Sequence, residues 1–114
     1  MAKLPEAIIG TVLNLQRQLL ERIDDATATE FAIEQQFGET DETIDYFAQL
    51  QNAKERADSY YSRLYITLRR IYESQPLANR DTLELLARFM DEAEAVNAAT
   101  DATVREIKRD FNLL

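Results

Sequence analysis

An all-α fold, an antiparallel bundle of three long helices, follows from three features of the sequence. Gly and Pro occur only twice each in 114 residues, which leaves few places for turns and argues against a strand-rich fold. Apolar residues recur at alternating spacings of three and four over three long stretches, the period of a helix face packed along other helices. The interruptions at Gly38 and Pro76 divide the chain into helices of about residues 5–37, 41–74 and 79–112. The chain 1–114 reads as one helical-bundle domain, large enough for a modest core but too short for two.

The first helix opens at Pro5, whose missing N–H costs nothing in a first turn, with Glu6 complementing the helix dipole. Lys3 ahead of a short apolar run resembles the start of a signal peptide, but Pro5 and Glu6 interrupt the run and a helix start is the better reading. Ile8, Val12, Leu15, Leu19, Ile23, Ala26, Ile33 and Phe37 keep one phase, so the helix is expected to run unbroken to Gly38, a left-handed C-terminal cap. The competing reading breaks it near Asp25–Thr29, where Thr27 and Glu30 imitate a capping box. A second stripe, Ile9, Leu13, Leu20 and Phe31, flanks the first. Either the helix is wedged deeply between two neighbours, or the second stripe is an interface through which the bundle dimerises.

Thr40 offers an N-cap for the central helix, with Asp41 and Glu42 in its first turn. Its seam is Phe47, Leu50, Lys54, Ala57, Tyr61, Leu64, Leu68 and Ile71, and only Lys54 is charged. Folding back the turns puts Lys54 near Asn97 and Thr100, with Asp24, Asp58 or Asp101 as its counter-charge or its ammonium reaching water. Tyr60 and Tyr61 fall opposite the small residues Ala93 to Ala99, large facing small. Pro76 ends the helix, Asn79 caps the third, and the last seam is Leu83, Leu86, Met90, Ala93, Asn97, Thr100, Val104, Ile107 and Phe111. Helices of about 32 residues would each be about 48 Å long, an elongated molecule.

Chemistry is constrained by what is missing. With no His and no Cys, the commonest general base and the thiolate nucleophile are absent, as are imidazole and thiolate metal ligands. No Gly-rich phosphate loop occurs. The 21 acidic residues are spread along the helices, and no spacing singles out a catalytic carboxylate pair. No cofactor and no metal are expected. A formal charge of −8 repels nucleic-acid phosphates and anionic lipid, and no apolar run approaches the roughly 20 residues that span a bilayer. The lack of cysteine fits a reducing cytoplasm.

Against this acidic background Arg56, Arg63 and Arg70 repeat every seventh residue on one face of the central helix, next to Tyr60. They either pair with carboxylates such as Glu6, Glu21, Glu84 and Asp91 or recognise an acidic partner or a phosphate. Glu84, Asp91, Glu92 and Glu94 make an acidic face on the third helix. The expected function is a non-catalytic protein–protein interaction module, an adaptor, regulator or assembly factor that binds another protein and itself forms a homodimer. Self-association would use Ile9, Leu13, Leu20 and Phe31, and partner binding Arg56, Tyr60, Arg63 and Arg70. The alternative is a small-molecule-binding bundle with a pocket lined by Tyr60, Tyr61 and Tyr65, and a more distant one an enzyme built on converging carboxylates.

Overall fold

Three helices account for 84% of the residues described, 4–114, in a computed structural model, and no strand occurs among them. They are α1 (Glu6–Phe37), α2 (Ile44–Glu73) and α3 (Arg80–Asp110). Each packs against both of the others, giving a rod of 57 × 21 × 18 Å. Lys3 lies outside the described residues. The Pro5 carbonyl accepts from the N–H groups of Ile8 and Ile9 at 3.0 and 3.2 Å, so the proline sits at the N-cap and leaves no donor of its own unmet.

α1 runs unbroken through Asp25–Thr29. Ala26 and Thr29 are buried there, and Thr29 Oγ1 donates to the Asp25 carbonyl at 2.7 Å. The hydroxyl is satisfied inside the helix, so the apparent capping box at Thr27 has no need to open it. Gly38 ends α1 with φ +69° and ψ −170°, its N–H donating to Glu34 O. The positive φ agrees with the expected cap, but ψ lies in an extended region open essentially to glycine, not in the left-handed helical region.

The α1–α2 connection is held by two threonines. Thr40 Oγ1 accepts from the Thr43 N–H at 3.2 Å, and Thr43 Oγ1 accepts from the Thr40 N–H at 2.8 Å, a reciprocal cap of the capping-box type. Thr43 is buried and also donates to Gly38 O at 2.9 Å. Thr40 thus caps the turn formed by Asp41–Thr43, and the regular helix starts at Ile44 with Thr43, not the expected Thr40, at its N-cap. At the far end Asn79 accepts from the Thr82 N–H at 3.2 Å. α3 stops at Asp110, short of the expected Asn112, because Asn112 adopts φ +56°. Leu113 N–H then donates to Lys108 O at 2.8 Å and Asn112 N–H to Arg109 O at 3.2 Å, which closes a Schellman motif with asparagine in the glycine position.

The core is in two parts. Val12, Leu15, Leu19, Ala57, Leu64, Ile71, Leu86, Ala93 and Val96 form one, and Ala26, Ile33, Leu50, Val104 and Ile107 the other. Between them lies a polar girdle. Arg22 bridges Asp25 at 3.2 Å and Asp101 at 2.9 Å, Asn97 Nδ2 donates to Gln18 at 3.2 Å, and Lys54 meets Glu30 at 3.6 Å. Lys54 thus turns to α1 and finds Glu30, not Asp24, Asp58 or Asp101, because its row on α2 faces α1 while Ala53 and Arg56 lie beside Thr100 of α3. Tyr60 reaches Phe89 and Glu92, about one turn before Ala93–Ala99, while Tyr61 packs on the cluster containing Ala93 and Val96. Two expected core residues are at the margins: Ile8 is exposed, and Phe37 is half-exposed while stacking at 5.3 Å on Phe111.

Thr43→Val keeps the shape of this side chain but removes one donor and one acceptor at a buried turn. The protein should lose about 1–2 kcal/mol in chemical denaturation, whereas Thr27→Val on the exposed side of α1 should stay within about 0.5 kcal/mol.

Candidate interaction surfaces

The Lys54–Glu30 contact puts residues 54 and 30 at the same height. Stepping along antiparallel helices from there sets Leu20 level with Leu64 and Tyr65, and Leu13 level with Ile71 and Tyr72. Tyr65 and Tyr72 lie eleven and eighteen residues beyond Lys54, close to whole numbers of turns at about 3.6 residues each, so they project from the α1-facing side of α2. Gln18 and Arg22 reach toward α3, and Leu13 and Leu20 lie on roughly the opposite side of α1. The result is one apolar face along the outer α1–α2 groove, with Leu13 54%, Leu20 48%, Tyr65 52% and Tyr72 51% exposed. The other two members of the expected self-association stripe are placed differently. Ile9 is half-buried, and Phe31, 63% exposed, is separated from Leu20 by the exposed Asp24 and Thr27. Gln16, within the same arc, is buried.

Arg56, Arg63 and Arg70 occupy a different side of α2. Arg63 is nine residues from Lys54, about two and a half turns, so the ridge faces away from the α1 contact and borders α3. The Arg63 guanidinium lies 4.6 Å over the Tyr60 ring and 5.8 Å from the Phe89 ring. Tyr60 is fixed in turn by donating its hydroxyl to Glu92 Oε1 at 2.8 Å and by an edge contact with Phe89 at 6.5 Å. The bond to the Glu92 carboxylate, followed by burial and the negative charge of Glu92, pushes the Tyr60 phenol above its ordinary value, while Arg63 pulls the other way.

Among the described residues none of Arg56, Arg63 and Arg70 has a carboxylate within 4.0 Å; Glu84 pairs with Arg80 instead. Local sequence explains this. The helix positions three and four residues from Arg56 are Asn52, Ala53, Ser59 and Tyr60, and those from Arg63 are Ser59, Tyr60, Ile66 and Thr67. Arg70 has Glu73 within reach, but Glu73 is bonded to Arg69 at 3.2 Å. By contrast Arg69, Arg80, Arg88 and Arg105 each meet an acid one turn away.

The three tyrosines of the alternative pocket are not brought together: Tyr60 turns to α3, Tyr61 packs on the core and Tyr65 lies on the α1–α2 face. An open cleft of about 620 Å³ lies at the α1–α2 turn and is walled by Phe37, Tyr46 and Phe111 with Asp41, Glu42, Asp45 and Asp110 at its rim. All four carboxylates are exposed. The charge of Asp110, followed by its hydrogen bond at 3.2 Å, raises the Tyr46 phenol. Among the described residues no three acids are grouped as metal ligands, and no helix is long and apolar enough to cross a membrane.

Tyr72 and Phe89 are surface residues to which the sequence alone gives no role, while Tyr65 and Glu92, expected in a pocket and on an acidic face, are found on the apolar face and bonded to Tyr60, respectively. Tyr65 and Tyr72 repeat at seven beside the α2 seam, a visible signal, but their partners on α1 emerge only from the interhelix register. Fold and surfaces together define a three-helix bundle with an apolar face and a cationic ridge on opposite sides of its central helix. No family model, curated protein or solved structure matches the chain.

The raised Tyr60 phenol gives a signed expectation. Below pH about 10 the neutral phenol and its bond to Glu92 contribute fully to stability; as pH rises through the higher folded-state value the contribution is lost. Thermal melts from neutral to strongly alkaline pH should fall more steeply for the wild type than for Tyr60→Phe, whose ring has no proton to lose. Parallel curves would separate Tyr60 from the alkaline transition.

Proposed function

We propose that this chain is a non-catalytic interaction module, an adaptor, regulator or assembly factor that works in the cytoplasm and forms a twofold homodimer through the outer α1–α2 face. The observation that carries the reading is the alignment of Leu13 and Leu20 with Tyr65 and Tyr72, all about half exposed on one side of the rod. A tyrosine has roughly 150–250 Å² of surface to bury. Half of that, with similar contributions from the leucines, amounts to about 400 Å² of apolar surface per protomer, within the range of patches that serve as interfaces. A standard interface takes about 800 Å² from each partner, so Ile9, Tyr61 and polar neighbours would complete the contact and the dimer should be of modest affinity. Each tyrosine suits this setting, because its ring can be buried while its hydroxyl stays at a wet rim.

Sedimentation equilibrium tests the reading. The wild type should be dimeric at high micromolar concentration. Leu13→Glu/Leu20→Glu should be monomeric with unchanged helicity by circular dichroism, because four carboxylates would then meet in a desolvated contact. A wild-type monomer rules this dimer out, and a double variant that unfolds assigns the stripe to the intramolecular core.

A further inference from the structure

We infer that the outer α2–α3 groove is a docking surface for an acidic amphipathic helix of another protein, whose carboxylates repeat every seventh residue and pair with Arg56, Arg63 and Arg70. This rests on the reading of the chain as an interaction module but uses a different face from the homodimer. Three exposed guanidiniums stand in line about 10.5 Å apart with no carboxylate within 4.0 Å, on a chain that carries 21 acidic residues to 13 basic ones. Arg69, Arg80, Arg88 and Arg105 pair one turn away on their own helix, whereas Arg56 and Arg63 have only neutral residues at those positions. The central member is already held in place: Arg63 rests on Tyr60, and Tyr60 is anchored to Glu92. A guanidinium ordered in advance loses less freedom on pairing, and its planar fork matches a carboxylate.

The occupant follows from spacing and from the surroundings of the ridge. Carboxylates seven residues apart on a helix repeat at the same distance of about 10.5 Å, so a parallel or antiparallel partner helix can engage all three arginines at once. Exposed Ile66 and half-buried Ser59 lie between the arginines in sequence, half-buried Phe89 borders Arg63, and Thr100 and Thr103 lie beside Arg56 on the α3 side, which gives the apolar stripe of a partner helix something to cover. A nucleic-acid duplex fits poorly. It carries a charge about every 1.7 Å along its axis, and Glu55, Glu73, Glu84 and Asp91 on the two helices of the groove would repel the phosphates that overran the ridge.

The test is fluorescence anisotropy with the full chain and three labelled helical peptides of about three heptads that share one apolar pattern. The first has Glu at each heptad position facing the ridge, the second has Gln there, and the third has the same number of Glu residues moved to three different sides. The first should bind at least about tenfold tighter than the other two. Arg56→Glu/Arg70→Glu, with helicity checked by circular dichroism, should lose that binding and take up the peptide with Lys at the same positions. The inference is overturned if the Glu peptide shows no binding at roughly millimolar concentration, if it binds no better than the Gln peptide, or if the charge-reversed protein binds it unchanged. Tighter binding of polyphosphate or duplex DNA than of the Glu peptide also overturns it, by making the ridge a polyanion site. Repeating the titration on Leu13→Glu/Leu20→Glu separates the two readings: ridge binding beside a monomeric wild type removes only the dimer, and an intact dimer without ridge binding removes only this surface.

Discussion

Three helices in a cross-section of 21 × 18 Å can cover only part of one another, and that limit governs most of what this molecule presents to its surroundings. Each helix has two neighbours on one side and water on the other, so an apolar arc wider than the shared interior must surface somewhere. α1 carries such an arc. Val12, Leu15 and Leu19 fill the interior, Gln16 is drawn in at its edge, and Leu13 and Leu20 remain outside. α2 behaves in the same way, burying Leu64 and Ile71 and leaving Tyr65 and Tyr72 half out. The apolar face is a consequence of packing more hydrophobic width than two neighbours can absorb.

The polar girdle governs how the helices are aligned. Arg22, Asn97, Asp101, Lys54 and Glu30 divide the core into two apolar clusters and join α1 to both α2 and α3. An apolar seam alone would tolerate sliding by a heptad with little change in the residues that meet. Sliding here would separate Arg22 from Asp101 and Lys54 from Glu30, leaving partly buried charges unpaired. These pairs matter more for choosing one alignment than for raw stability, and that alignment is what sets Leu13 beside Tyr72 and Arg63 beside Phe89.

Charge on the surface is sorted by local sequence. Arg69, Arg80, Arg88 and Arg105 each pair with an acid one turn away on their own helix, whereas Arg56 and Arg63, with only Asn, Ala, Ser, Tyr, Ile and Thr at those positions, are left open. The central helix therefore carries an apolar side and a cationic side about half a turn apart, held by the same backbone.

The sequence by itself determined the three helices, their turns and the identity of most interior residues, because caps and turns are local devices and a period of 3.6 is written directly into the chain. Gly38, Thr40, Pro76 and Asn79 mark the two connections, and the unchanged phase through Ala26 already argued that α1 does not break. The open state of Arg56 and Arg63 was also present in the sequence, in the neutral residues one turn to either side. Tertiary structure decided what depends on rotation and height of one helix against another: that Lys54 meets Glu30, that Ile8 and Phe37 lie at the margin, that Phe31 stands apart from Leu20, and that Tyr65 and Tyr72 complete the apolar face. A shift of a single residue turns a helix by about 100°, more than enough to exchange core for surface, so errors of one or two residues in folding back a turn leave the helices intact and change every partner across them.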